Sequence, residues 1–469
     1  MAKTPNYRLG EFHTFTDTRT LRSPLRFGPR AVTEISFLRI GAHLIEKGKR
    51  KGTPGIGEVP IVSAWAWPVR TMTPVQTDRA LLGLAKEIAA AAAELEFGDH
   101  PLRFGMTLIR RGEEIAEQLA ARMKLTEPIP KLAVLMACAA VDAAVHDAFG
   151  RQHRRSAYDC LSEEFISGDL SEFFGEEYAG VPVNAGVNQR PKTTLALYHD
   201  VGVGDPLSGR DLSRRLDDGR PETLEEWLEA EQLSHLNIKL KGTDLDWDVG
   251  RVIEIDRIAT RSAFSREWSY ALDFSEACAS EDYVIDFLER VDRLSRSVSE
   301  RLRFIEQPTT RQMVARRDIT MHRVGRLMSV VVDESLIDAE SIAVAQQLGY
   351  SGVGLRASKT ISLSILLAAA AHHKKMAAYV LDMPTAGASY LTSAALAAHL
   401  SAVDAVAGSG RQYCPAANEG WDSVYPPLFQ IIGGTIPTEL LDQPGLGFRW
   451  PSGGTPEGYE DLEKASAGG

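Results

Sequence analysis

The chain has 469 residues, of which 44 % are hydrophobic and 25 % charged, and it carries a formal net charge of −11 at pH 7. This is an ordinary globular composition, and its acidic balance argues against a nucleic-acid-binding surface. An acidic protein repels anions at long range, so an anionic substrate would need a local positive centre.

The cysteines and the N-terminus indicate the cellular compartment. Cys138, Cys160, Cys278 and Cys414 are scattered without metal-type pairs, which favours a reduced, cytosolic protein. The stretch MAKTPNYRLGEFHTF lacks an apolar core, so no signal peptide is expected, and no uninterrupted apolar run is long enough to cross a bilayer. We expect a cytoplasmic protein that binds neither membranes nor nucleic acid.

The first 185 residues combine strand-like and helical patterns. The stretch AVTEISFLRIGAHLI is strand-like and leads into the glycine-rich turn KGTPGIGEVP. The segments DRALLGLAKEIAAAAAELEF and KLAVLMACAAVDAAVHDAF read as helices, and the small residues of the second indicate close packing. Residues 1–185 are therefore predicted to form an α+β domain.

Beyond residue 185, apolar strand candidates alternate with helical segments. There are eight candidates, in the order TTLALYHDVG, LNIKLKG, YALDFSE, RFIEQP, SVVVDES, GVGLRAS, MAAYVLDMP and AVDAVAGSG. Eight strands with intervening helices over this length are typical of a (β/α)₈ barrel. We predict an α/β fold whose TIM-like barrel spans residues 186–415.

One connection in the predicted barrel is long. Residues 203–221 are polar, contain glycine and proline, and follow the first strand, so they would lie on the catalytic face. Loops of this length are commonly functional or disordered. An active-site lid and a flexible insertion both fit this segment.

Three acidic residues stand at the ends of three successive strand candidates. They are Asp273 in YALDFSE, Glu306 in RFIEQP and Asp333 in SVVVDES, spaced by about one strand–helix unit. Any one of them could simply cap a helix or lie on the surface. Neighbouring parallel strands would bring all three carboxylates to one point at the barrel rim, which predicts a Mg²⁺ site.

Two lysines end the second strand candidate. Lys239 and Lys241 alternate in NIKLKG, so both amines are expected to face the barrel interior. Mutual repulsion and a nearby cation would lower the pKa of each amine, and a lysine near neutrality can act as a general base. The alternative is that the pair only neutralises acidic neighbours.

The ordered combination of KxK, a strand-end Asp, EQP and DES resembles the enolase superfamily, most closely its mandelate racemase and muconate lactonizing branch. GIGEVP with SAWAWP resembles that family's capping-domain segment near the active site, and VDAAVHDAFGR resembles its helix leading into the barrel. PGLGF resembles its closing segment. The resemblance implies that residues 1–185 are a capping domain and that residues 416–469 return to it.

The resemblance also implies a chemistry, abstraction of the proton α to a carboxylate to give an enediolate held by Mg²⁺. Asp273, Glu306 and Asp333 would be the metal ligands. Lys241 would be the general base, and Lys239 would lower its pKa and help to hold the substrate carboxylate. The weak acidity of such a proton makes concentrated positive charge necessary.

The sixth strand departs from the family's pattern. Where the lysine-based branch has a second catalytic lysine, this sequence has Arg356, with Lys359 three residues later. Arginine stays protonated and is a poor base, so symmetric two-base racemisation is in doubt. Arg356 would then clamp an anionic group or stabilise charge, or a shifted alignment would make Lys359 the second base.

Other candidate substrate contacts come from the last strands and from the first domain. They are Asp382 in YVLDMPT, Arg411 and Tyr413 in GSGRQYCP, and Glu58 and Trp65 near the glycine-rich turn. Arg411 and Tyr413 could instead pack against the capping domain. Trp65 and Glu58 could instead form a domain interface.

The sequence as a whole predicts a Mg²⁺-dependent enzyme that abstracts the α-proton of a small carboxylate substrate. A dehydratase, which is a lyase, and an epimerase or other isomerase both fit. The alternative is a metal-binding, non-catalytic or ligand-binding descendant of the enolase superfamily, which the missing second base supports. A symmetric homo-oligomer is the default assembly for such enzymes.

Overall fold

A computed structural model of the chain describes residues 7–27, 30–69, 71–261, 267–381 and 383–451. Within them, an antiparallel sheet with helices is followed by a closed sheet of eight parallel strands. The predicted fold, a (β/α)₈ barrel with an N-terminal α+β domain, is confirmed. The exact boundaries placed after residues 185 and 415 stay predictions.

The N-terminal sheet is organised around one long strand. Its members are β1 (Tyr7–Leu9), β2 (His13–Phe27), β3 (Arg30–Glu46) and β4 (Thr53–Ile61). The strand β3, which is the predicted AVTEISFLRIGAHLI segment, pairs antiparallel with all the others. From Ile35 onward most residues of β3 are buried, so this half of the strand lies inside the domain.

Five helices follow this sheet. They are α1 (Ser63–Ala66), α2 (Pro74–Ala92), α3 (Pro101–Met123), α4 (Lys131–His153) and α5 (Ser171–Phe174). The helix α4 packs closely on β4, because a Cβ added at Gly57 would lie 2.1 Å from the carbonyl oxygen of Ala140. The small residues of α4 are what allow this approach.

The helix α4 is also the one described helix that is long and apolar enough to cross a membrane by length and composition. Its most apolar window is entirely buried inside the protein. It carries Asp142, His146 and Asp147 at buried positions, where each has a hydrogen-bond partner. These features are those of a core helix.

The barrel alternates strands and helices in chain order. Its elements are β5 (Leu195–Val201), α6 (Leu224–Glu231), β6 (His235–Lys239), α7 (Leu245–Ala259), β7 (Ser269–Asp273), α8 (Glu281–Leu294), α9 (Arg296–Arg301), β8 (Leu302–Glu306), β9 (Ser329–Val332), α10 (Ala339–Gln347), β10 (Gly352–Leu355), α11 (Ile361–His373), β11 (Ala377–Val380), α12 (Gly387–His399) and β12 (Ala405–Ala407). Between β8 and β9, residues 307–328 carry a 3₁₀ turn, Val324–Arg326, in place of an α-helix.

The barrel closes because β12 pairs in parallel with β5. Its interior is filled by side chains, including the rings of Phe304 and Tyr379 with centroids 4.0 Å apart. A filled interior leaves only the ends of the barrel open to ligands. The carboxyl ends of the strands therefore form the floor of any site on this face.

The chain after the barrel forms α13 (Gly410–Tyr413), α14 (Trp421–Val424), α15 (Pro426–Phe429) and β13 (Thr435–Ile436). The following PGLGF segment packs on α4, where the backbone N–H of Leu446 donates to Asp147 at 3.0 Å. The ring of Trp450 lies 4.9 Å below the guanidinium of Arg39 on β3. The end of the described chain thus contacts the N-terminal domain.

Candidate active site

The strand ends bring one group of charged residues to a common level. Lys239 pairs with Asp273 in the register of β6 and β7, and Asp273 pairs with Glu306 in that of β7 and β8. Asp333 and Arg356 follow directly on β9 and β10. The three predicted carboxylates therefore lie at the same end of the barrel, at the ends of three neighbouring strands.

These strand ends form the floor of a cavity of about 700 Å³. The wall includes residues from β2, α1 and the segment after β5, among them Arg22, Arg26, Trp65, Asp205, Arg214 and Leu216. The cavity thus lies between the barrel mouth and the N-terminal domain. A volume of this size suits a small organic substrate.

The long connection at 203–221 is part of that wall. The guanidinium of Arg22 on β2 donates to Asp218 at 2.5 Å and to the carbonyl oxygen of Pro221 at 3.0 Å. At its other end, Asp205 accepts a hydrogen bond of 2.6 Å from the hydroxyl of Tyr413. Of the two interpretations offered by the sequence, a cover over the site fits these contacts better.

Arg356 lies among the acidic side chains of the floor. Its Nη2 atom is 2.8 Å from Oε1 of Glu306 and 2.5 Å from Oδ2 of Asp333, and its Nε atom donates to both oxygens of Asp333. Burial disfavours the guanidinium charge, but the two carboxylates outweigh it and raise the pKa of Arg356. Arg356 is therefore a permanent cation here.

Lys359 lies on the other side of Asp333. Its amine donates to Oδ1 of Asp333 at 2.9 Å and to the backbone carbonyl of Asp333 at 2.6 Å. Burial, with help from Arg356, lowers its pKa in spite of Asp333. Among the described residues, Arg356 lines the cavity and Lys359 does not, so Arg356 holds the position where the second base was considered.

Lys239 is the lysine that faces the cavity. Its amine lies 2.6 Å from Oδ2 of Asp273, and the side chain is partly exposed to the cavity. Burial lowers the pKa of Lys239, but Asp273, Asp200 and Glu306 outweigh burial and raise it above its ordinary value. The expected lowering by a second ammonium group is therefore wrong.

The placement predicted for Lys241 is also wrong. The strand β6 ends at Lys239, so the alternation does not extend two residues further. The amine of Lys241 lies 3.1 Å from Asp244 and 4.3 Å from the ring centroid of Trp247, at the half-exposed start of α7. Lys241 is absent from the described cavity lining and does not stand where a base would reach a substrate.

The alternation of side chains in β6 instead places Asn237 on the same face as Lys239, and the sequence had not indicated Asn237. Asn237 is buried, and its amide donates to Oδ1 of Asp200 on β5 at 2.9 Å. Asp200 lines the cavity, whereas Asn237 lies behind it, outside the described lining. In the sequence, the alternation could have been read from Asn237 to Lys239 (NIK) instead of from Lys239 to Lys241 (KLK).

Glu334 is the second functional candidate that was missed, although it is the central residue of the DES motif. Its Oε1 accepts a hydrogen bond of 2.9 Å from the indole of Trp65, and it lines the cavity. Burial, reinforced by Asp333 and Glu276, raises the pKa of Glu334 to about 8. The surroundings of Glu334 therefore favour the protonated form of its carboxyl group.

An acidic cluster that could hold a divalent cation is present. Carboxylate oxygens of Glu306, Asp333 and Glu334 lie within 4.8 Å of one another. The Oε2 atoms of Glu306 and Glu334 are buried and accept no hydrogen bond from the described residues. Carboxylate oxygens are the ligands that Mg²⁺ prefers, but the Nη2 atom of Arg356 lies between Glu306 and Asp333. The predicted ligand Asp273 lies outside this group, because it binds Lys239 and the backbone of Ser275.

The remaining candidates divide by position. Trp65 and Tyr413 line the cavity, as a substrate contact requires. Arg411 does not, because it forms a buried ion pair of 2.7 Å with Glu231 at the end of α6. Asp382 lies outside the described residues.

Glu58 was proposed to select the substrate, but it is committed to the protein interior. It forms an ion pair of 2.7 Å with Arg39 on β3 and accepts a hydrogen bond from the backbone of Ser389 on α12. Burial raises its pKa against the opposing effect of Arg39. Glu58 therefore joins the N-terminal sheet to the barrel, which is the interface role offered as its alternative.

Comparison with solved structures identifies the architecture. A muconate lactonizing enzyme from Pseudomonas fluorescens, complexed with muconolactone, superposes with a TM-score of 0.60 at 15 % identity, over 96 % of this chain and 98 % of that one. The chain has the mandelate racemase and muconate lactonizing enzyme fold. The resemblance noted in the sequence is thereby confirmed for the whole fold.

Two epimerases share this fold with the chain. The L-Ala-D/L-Glu epimerase from Bacillus subtilis gives a TM-score of 0.59 at 15 % identity, covering 94 % of this chain and 98 % of that one. A dipeptide epimerase from Enterococcus faecalis, complexed with Mg and the dipeptide L-Leu-L-Tyr, gives a TM-score of 0.61 at 14 % identity, covering 94 % of this chain and 99 % of that one. No protein-family model and no curated protein matches the sequence.

Proposed function

We propose that this chain is an enzyme of the enolase superfamily that removes the proton α to the carboxylate of a small substrate. The observation that carries the proposal is the position of Lys239. Its amine stands on the cavity floor at the mouth of the barrel, and Arg356 stands four strands away on the opposite side. A base and a permanent cation thus face the same space.

Lys239, rather than Lys241, is the proposed general base. In its neutral form it would accept the α-proton and become an ammonium group, which Asp273 at 2.6 Å would stabilise. The negative charge left on the substrate would develop at its carboxylate. The Nη1 group of Arg356 is buried and donates to none of the described residues, so a substrate oxygen that reached it could accept a hydrogen bond.

The cavity has a lysine, Lys239, on one side and an arginine, Arg356, on the other, and this difference limits the class of reaction. Arginine cannot act as a base at physiological pH. With Lys239 as the only base between the two, elimination of a hydroxyl group or a one-base isomerisation is favoured over two-base racemisation. We therefore propose a lyase of the dehydratase type or an isomerase.

Magnesium, which the resemblance implies, is one possible source of additional positive charge. When bound, it would act as a Lewis acid on the substrate carboxylate. The resemblance would have it held by Asp273, Glu306 and Asp333, but here Arg356 lies between Glu306 and Asp333. The other source of charge is the chain itself, through Arg356.

A second candidate function, a ligand-binding protein without catalysis, is favoured by the ion pair between Lys239 and Asp273. That pair holds Lys239 in the protonated form, which cannot accept a proton. A cavity with a fixed ammonium and a fixed guanidinium would still bind anions. The two candidates differ in whether the bound ligand exchanges its α-proton.

The test is deuterium exchange at the α-carbon. The protein would be incubated in D₂O, with and without Mg²⁺, with a panel of α-hydroxy and acid-sugar carboxylates, and the products analysed by ¹H NMR. We expect exchange that falls by roughly 10²–10⁴-fold in Lys239→Ala and by less than about threefold in Lys241→Ala. Binding of several ligands without exchange of any would favour the binding protein.

The setting of the enzyme is also proposed. The four cysteines are free and buried, which fits a reduced, cytoplasmic environment. We propose a homo-oligomer that acts on a small-molecule carboxylate and has no nucleic-acid or membrane partner. Light scattering of the purified protein would test the assembly.

A further inference from the structure

Arg356 places one nitrogen at the point where two carboxylates converge. Its Nη2 atom lies 2.8 Å from Oε1 of Glu306 and 2.5 Å from Oδ2 of Asp333. A divalent cation joining these oxygens would lie roughly 2.0–2.6 Å from each of them. Such an ion and the Nη2 atom cannot occupy this space together.

The guanidinium is held from several directions. Its Nε atom donates to Oδ1 and Oδ2 of Asp333 at 2.9 and 3.0 Å, and its Cζ atom lies 5.0 Å from the ring centroid of Trp65. The residue is only 4 % exposed. Withdrawal of Arg356 would leave Glu306 and Asp333 buried without their shared counter-charge.

Asp333 is also covered on its other side. Lys359 binds its Oδ1 atom at 2.9 Å, so both carboxylate oxygens already have cationic donors. Asp333 is fully buried, and among the described residues the cavity lining includes Arg356 but not Asp333. Glu306 and Glu334 also line the cavity, so an ion arriving from it would meet these residues and Arg356 before it reached Asp333.

The three carboxylates predicted as metal ligands are matched by three cationic side chains without a divalent ion. Each of the three carboxylates predicted as metal ligands has a cationic partner, because Lys239 neutralises Asp273 in the same way that Arg356 and Lys359 neutralise Glu306 and Asp333. Two further positive charges would have to be offset by an anionic ligand or by displacement of one of these side chains.

We propose that Arg356 takes the place of the divalent cation in this site, joining Glu306 to Asp333 and presenting its free Nη1 group to an anionic ligand. The chain therefore binds no divalent ion between these carboxylates. The part played by Nη1 toward a substrate carboxylate rests on the proposed function, whereas the exclusion of the ion rests on the geometry alone.

The experiment uses Mn²⁺ as the probe, with its binding followed by electron paramagnetic resonance and Mg²⁺ competition followed by calorimetry. We expect no Mn²⁺ site in the EDTA-treated wild-type protein up to 1 mM (roughly the weak end of protein cation sites). Arg356→Met should gain one Mn²⁺ site, and adding Glu306→Gln should abolish it. Arg311→Met is the matched control, because Arg311 lines the same cavity but pairs with Glu276.

Each outcome decides the proposal. One Mn²⁺ bound by the wild type and lost in Glu306→Gln overturns it, as does a folded Arg356→Met that gains no site, or an equal gain in Arg311→Met. If Arg356→Met does not fold, Arg356→Gln replaces it under the same criteria, because a neutral amide removes the cation and still offers hydrogen-bond donors to the buried carboxylates.

Failure here and failure of the proposed function are distinguishable. Wild-type Mn²⁺ binding with metal-dependent deuterium exchange would remove this inference and leave proton abstraction in place. A gain of Mn²⁺ binding in Arg356→Met, with no exchange of any ligand by the wild type, would support this inference and argue against proton abstraction.

Discussion

The Nη2 atom of Arg356 lies 2.5 Å from Oδ2 of Asp333, at the end of neighbouring strands of the barrel. Both side chains are almost completely buried. Arg356 stands where the resembling family has a second catalytic lysine, whereas Asp333 matches a metal-ligand position of that family. The contact joins these two residues. It decides how the floor of the cavity carries its charge.

Replacing Arg356 should destabilise the protein. Arg356→Met removes the cation shared by Glu306 and Asp333, and breaking a buried ion pair costs about 3–5 kcal/mol. Urea unfolding in EDTA would measure this cost. Arg316→Met, which breaks the exposed pair with Asp318, should cost less than about 1 kcal/mol. Equal stabilities of the two variants would show that the buried contact is energetically unimportant.

The α-proton exchange rate should rise with pH. Asp273 and its neighbours raise the pKa of Lys239, so the neutral amine is the minor form and grows about tenfold per pH unit below that pKa. We expect log rate to increase with a slope of about +1 between pH 6 and 9. Asp273→Asn should move this profile to lower pH, because it removes the carboxylate that stabilises the ammonium. A flat profile in the wild type would exclude Lys239 as the base.

Loop 203–221 should become accessible when its contact with β2 is removed. Arg22→Ala deletes the hydrogen bonds to Asp218 and to the backbone of Pro221. The loop contains four arginines, so limited trypsin digestion followed by mass spectrometry should show several-fold faster cleavage there. Arg19→Ala on the same strand breaks only the local pair with Asp17 and serves as the control. Unchanged cleavage in Arg22→Ala would mean that other contacts hold the loop.

Acid should destabilise the fold partly through His146. Burial lowers its pKa to about 3, so between pH 6.5 and 3 the unfolded chain binds a proton that the folded protein does not. The stability contributed by neutral His146 is full above pH 6.5 and is lost as the pH falls. His100, also buried with a pKa of about 3, likewise lowers the stability of the fold as the pH falls. Asp142, whose pKa is raised to about 6, has the opposite effect on stability.

His146→Gln isolates this effect, because Gln can keep the hydrogen bond to Ser362 without titrating. Between pH 7 and pH 4.5 the wild type should lose about 2–3 kcal/mol more stability than the variant, as two pH units below the unfolded pKa correspond to this energy. Urea titrations at the two pH values provide the comparison. A parallel loss in both proteins would rule out His146 as a source of acid sensitivity.

The difference between Lys239 and Lys241 shows how far the sequence could be read. The alternation of a strand correctly indicates which residues share a face, but only while the strand continues. The register of β6 with β7 ends at Lys239 and Asp273. Beyond this point the chain turns so that Asp248 can accept from the backbone of Lys241, and the amine turns toward Asp244. No local pattern in KLKG marks that turn.

The sequence by itself determined the barrel, the N-terminal α+β domain and the level at which the strand-end carboxylates lie, because periodicity and strand–helix spacing are local properties of the chain. Only the tertiary structure decided which cation meets which carboxylate. Arg356 reaches Glu306 across 50 residues of sequence, and Trp65 reaches Glu334 across 269. Such pairings depend on packing between distant segments, and they determine whether the carboxylates are open to a metal or closed by an arginine.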